Sequence, residues 1–102
     1  MVIEKKFTAG PWKTFEHSWS DTSVEDGKGK RICLLSIYSE ATEKTQNKLE
    51  VRMAANSALI AASPEMFDML QEVRGVLDEY DWNAELVGRI DALLEKATTV
   101  TP

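Results

Sequence analysis

The side chains in this sequence that could carry out chemistry are few, and none stands in evident catalytic company. His17 is the only histidine and Cys33 the only cysteine. Nucleophilic or general-base work needs a histidine set against a serine, cysteine or carboxylate, and the run Trp12–Trp19 surrounds His17 with aromatic and polar strand residues without an identifiable constellation. One cysteine excludes an internal disulfide, and with one histidine it excludes a multi-cysteine zinc site in a single chain. Cys33 is expected as a small apolar strand residue. Gly27-Lys28-Gly29-Lys30 could suggest a phosphate cradle, but the Gly-Lys-Ser/Thr ending is missing and a strand pattern follows instead of a helix. A hairpin turn is the expected reading.

Asp78, Glu79 and Asp81 form an acidic cluster beside Trp82. A calcium loop needs oxygen ligands at alternate positions over about twelve residues with a glycine near the middle, and Asp78–Arg89 has neither. A carboxylate pair for glycoside hydrolysis needs a cleft that a small chain is poorly able to make. The four residues are therefore read as a solvated interhelical corner or, functionally, as a protein contact surface. No catalytic residue, cofactor site or metal site is expected.

The elements that would position these residues follow from pattern. At 102 residues, 43% apolar and 28% charged, the chain reads as one soluble α+β domain, with 1–40 strand-rich and 41–98 helical. No apolar run approaches the roughly 20 residues of a membrane helix, and no hydrophobic signal core follows the first charges, so cytoplasmic residence is expected. Period-two alternation over Trp12–Trp19 puts Phe15, His17 and Trp19 on one face. With Thr22–Glu25 and the apolar run Lys30–Tyr38 it predicts a three-stranded antiparallel meander whose last strand is the best buried.

Three helices are expected after the meander. The first runs from about Glu43, capped by Ser39 or Thr42, to Ala62, with Leu49, Met53 and Ile60 as its apolar stripe. Ser63-Pro64-Glu65 reads as the start of the second: an N-cap serine, proline at the first helical position, then an acid complementing the dipole. That helix would pack Met66, Met69, Leu70, Val73, Val76, Leu77 and Tyr80, with Gly75 implying a close contact or bend. Asp81 or Asn83 would cap the third, Ala84–Ala97, and the last two would form a helical hairpin. Thr98–Pro102 would fray.

Charge is distributed unevenly along this layout. From Pro64 onward three basic residues face nine acidic ones, a net of −6 within a chain of −5 overall. An acidic helical part repels a phosphate backbone, so direct nucleic-acid binding is not expected, whereas a basic protein surface is accommodated.

Thr8-Ala9-Gly10-Pro11-Trp12 and Ala55-Asn56-Ser57-Ala58-Leu59-Ile60-Ala61-Ala62-Ser63-Pro64-Glu65-Met66 together resemble a widespread group of small phage and prophage proteins. These carry a T-P-G-P-W opening and an A-N-A-R-L-I-A-A-A-P-E-L-L corner. The resemblance covers most of residues 8–70. This chain has Ala9 for proline, Ser57-Ala58 for Ala-Arg and Ser63 for alanine, so any role of that arginine does not carry over. The resemblance implies a phage origin and action by binding host or phage proteins, including inhibition of a host defence or replication component. A different class, an oligomeric small-ligand or nucleotide binder with pockets between chains, is the alternative, and a homo-oligomer is compatible with both.

Overall fold

In a computed structural model, residues 5–37, 42 and 44–99 are described. Three strands, β1 (Lys13–Ser18), β2 (Asp21–Glu25) and β3 (Arg31–Ser36), precede two helices, α1 (Gln46–Glu79) and α2 (Ala84–Thr98). The chain divides into two compact units, Thr8–Pro64 and Met1–Phe7 with Glu65–Pro102.

In the first unit the strands form an antiparallel sheet in the order β1-β2-β3, as the meander pattern predicts. Phe15 lies opposite Ser23, and Glu16 opposite Thr22. The next aligned pair is Ser18 with Asp21, so His17 is the extra residue of a β-bulge. The burial order differs from expectation. β2, not β3, is the buried strand, with Thr22, Ser23 and Val24 all inside, while Leu34 on β3 is exposed. A middle strand has neighbours at both edges, and its small polar residues do not advertise that position. Ile37, Leu49 and Met53 form the buried apolar cluster of this unit, with Leu35 against it.

The hairpin between β2 and β3 closes around Asp26. Its carboxylate accepts from the backbone N–H of Lys28 and of Lys30, both at 2.9 Å, and Gly29 takes a positive φ of 81°. Such an Asx-type turn needs a short acceptor at its first position and a residue free to turn left-handed near its end. The Lys30 N–H, followed by the Lys28 N–H and both lysine charges, outweighs burial and holds the Asp26 carboxyl below the usual carboxylate range.

Among the described residues two helices, not three, follow the sheet. Gln46–Glu79 is a single helix with Pro64 inside it, so Ser63-Pro64-Glu65 is not a helix start. Proline lacks the N–H that would bond the carbonyl four residues back, leaving the Ile60 oxygen without that donor. The Ser63 hydroxyl donates to this oxygen at 2.7 Å. The serine read as a cap thus replaces the bond that proline removes. The expected helix start at Glu43, its Ser39 cap, the Tyr38 end of the last strand and the tail beyond Thr99 lie outside the described residues, whereas Thr98, expected to fray, is the last residue of α2, its hydroxyl donating to the Leu94 carbonyl at 2.9 Å.

In the second unit, Phe67, Ile90 and Leu94 make the buried cluster, with Phe7, Leu70, Leu77 and Leu86 packed on it. The Phe7 and Phe67 rings meet edge to face at 5.0 Å. Lys5 pairs with Asp68. The latter part of α1 and α2 therefore share one core, and a hairpin over this stretch is the expected arrangement.

Candidate functional site

The four residues singled out in the sequence, Asp78, Glu79, Asp81 and Trp82, meet at the α1–α2 link, and local backbone chemistry explains their positions. The N–H of Trp82 bonds the Leu77 carbonyl at 2.8 Å and that of Asp81 bonds the Asp78 carbonyl at 3.1 Å. Together these bonds make a Schellman ending, in which the residue after the C-cap adopts the left-handed region. Asp81 is that residue, at φ 52°, where glycine is the usual choice. Asn83 caps α2, its Oδ1 accepting from the Leu86 N–H at 3.1 Å. The structure thereby selects Asn83 over Asp81 as the cap.

The acidic residues of the link differ in availability. Asp78 lies 3.6 Å from Arg74. Arg74 is held mainly by Asp91 on α2, with its Nε donating at 2.7 Å and its Nη2 at 3.3 Å in a forked contact. The Asp91 carboxylate first, and Asp78 to a smaller degree, raise the Arg74 guanidinium further above its already high pKa. Arg74 therefore fixes α1 to α2 through Asp91 and leaves most of Asp78 to solvent. Glu79 and Asp81 make no side-chain ion pair among the described residues. Trp82 is 62% exposed, with the Tyr80 ring 5.8 Å away.

Apolar exposure extends beyond this corner. Met66, Met69, Val73, Val76 and Tyr80, expected to pack in the helix's apolar face, are exposed, as is Leu93. The packed face consists of Phe67, Leu70 and Leu77. Helix α1 carries two adjacent apolar stripes, and periodicity alone does not choose between them. Phe67 was missed; its bulk and its spacing of three from Leu70 and ten from Leu77 were the available signal. Gly75 has open space around it, so neither a close approach nor a Cβ clash requires glycine there.

In the strand unit, His17 has partners that the sequence did not reveal. The Ser23 hydroxyl donates to Glu25 at 2.9 Å and therefore accepts from the His17 Nε2–H at 2.8 Å. In a hydrolytic arrangement the histidine would withdraw the serine proton, whereas here that proton is committed to the carboxylate. Ser23 is also completely buried, out of reach of a substrate. The chain of bonds ties the bulge of β1 to β2. It became visible only once Ser23 was placed opposite Phe15.

Open grooves lie in the same unit. One, of about 360 Å³, carries Glu16 and Glu50 in its lining, which opposes a phosphate. Another, of about 530 Å³, runs beside the hairpin turn with Lys28, Lys30 and Arg31 around Asp26. Cys33 is half-buried in β3 and forms no disulfide. Among the described residues no histidine, cysteine or carboxylate grouping could hold a metal ion, and no helix is long and apolar enough to cross a membrane.

Residues 1–100 match the family described as Salmonella phage P22 protein Y8K6. No curated protein and no solved structure matches the chain.

Proposed function

The chain belongs to the family of Salmonella phage P22 protein Y8K6, and from that premise we propose that this small phage protein acts by binding a host or phage protein, without catalysing a reaction. The observation that carries this reading is the surface of the Glu65–Pro102 unit. Trp82 and Tyr80 stand exposed beside Asp78, Glu79 and Asp81, and the apolar stripe of α1 leads up to them. Exposed aromatics set among charges of one sign resemble an interface, with an apolar centre and a polar rim that selects the partner's charge. A basic surface on a host defence or replication component is the partner class it favours.

The candidate chemistry elsewhere supports a binding role. His17 and Ser23 are engaged in fixing the sheet, and their proton arrangement is the reverse of an activated nucleophile. The test is recovery of a specific partner from the bacterial host with the natural chain and with D78K, E79K and D81K combined. Charge reversal is expected to release that partner while far-UV circular dichroism is unchanged. Retention of every partner by the reversed protein would remove the acidic corner from the reading.

A further inference from the structure

Met66, Met69, Val73, Val76 and Tyr80 are spaced three, four, three and four residues apart, the spacing of a coiled-coil seam. Ordinarily such residues are covered, yet here they are 39 to 60% exposed, while α2 is engaged by the neighbouring stripe of Phe67, Leu70 and Leu77. Glu65, Glu72 and Glu79 recur every seven residues along one margin of the exposed seam, at the positions flanking the knobs. All three are exposed, and none has an ion-pair partner among the described residues.

Resting on the protein-binding reading above, we propose that this seam docks an amphipathic helix of a partner protein, one with apolar seam residues and lysine or arginine on its flanks. Charge decides between this occupant and a second copy. Antiparallel pairing of two copies sets the glutamate margins against each other, and either direction brings together two segments of net −6. A basic helix instead places a cation opposite each unpaired carboxylate while its apolar face covers the methionines. The two methionines suit this role, since unbranched thioether side chains repack around partners of different shape.

Three synthetic helical peptides of equal length test the assignment by fluorescence anisotropy: a leucine seam with lysine flanks, the same seam with glutamate flanks, and a scramble of the first. The lysine-flanked peptide is expected to bind, weakening as salt rises, and the other two are not. V73K is expected to weaken it by at least about tenfold, as truncation or charging of a central anchor does. E65K with E72K is expected to shift preference to the glutamate-flanked peptide. Equal binding of the lysine-flanked peptide and its scramble, or a preference unchanged by E65K with E72K, overturns the proposal. So does a sedimenting dimer that V73K converts to monomer, because the seam then belongs to a second copy. A host partner kept by V73K but released by reversal at Asp78, Glu79 and Asp81 leaves the protein-binding reading standing and removes the seam from it.

Discussion

Removing the Ser63 hydroxyl in two backgrounds separates a proline-interrupted helix from a helix that begins at Pro64. In the natural chain the hydroxyl bonds the Ile60 carbonyl, which Pro64 cannot reach with an N–H. Ser63→Ala loses that bond, worth about 1 kcal/mol, and gains about 0.5 kcal/mol of helix propensity, a net loss of about 0.5 kcal/mol. With Pro64→Ala already in place, the new N–H satisfies Ile60, and the same Ser63→Ala change stabilises by about 0.5 kcal/mol. The coupling between the two positions is then about 1 kcal/mol, within the range for residues sharing one acceptor. Were Ser63 the cap of a separate helix, its loss would cost about 1 kcal/mol in both backgrounds and the coupling would be near zero. Urea unfolding of the four proteins, followed by far-UV circular dichroism and tryptophan fluorescence, measures the cycle. A coupling below about 0.3 kcal/mol, the scatter expected of independent sites, refutes the single-helix account of Ser63 and Pro64.

Two further outcomes follow from the fold. Gly75 is exposed within α1 with open space where a Cβ would stand, so Gly75→Ala should stabilise by up to about 1 kcal/mol in the same unfolding assay; destabilisation would show that the position is crowded. The Asp26 carboxyl is held below its unfolded value of about 4, so its stabilising contribution is fully present above that value and is lost as pH falls through the lowered folded value. Asp26→Asn should therefore lower stability at neutral pH and flatten the fall in stability below about pH 4; an acid profile that keeps its slope would contradict the turn as described.

Sequence was most informative where the governing interactions were local. Asp26-Gly27-Lys28-Gly29 announces its turn because the acceptor, the donors and the left-handed residue lie within five positions. Asn83 and the period of Leu86, Ile90 and Leu94 likewise mark α2. Ser63-Pro64-Glu65 misled because the same three residues satisfy a helix start and a mended helix interior. Only the bond to Ile60 distinguishes them. The bulge at His17 shifts register by one residue, a change that alternation does not encode, and it brings His17 to Ser23. The acidic corner was legible as residues, but its left-handed Asp81 and its Schellman bonds were not. The exposed seam stayed hidden for a further reason. Met66, Met69 and Val73 look like core until Phe67 and Leu70 are seen to occupy it.

Hydrogen–deuterium exchange of the chain alone and in complex with its captured host partner tests the central claim most directly. Binding is expected to add protection over residues 66–82, covering the exposed face of α1 and the link to Trp82. Protection confined to Thr8–Pro64, with residues 66–82 exchanging as in the free chain, would contradict it.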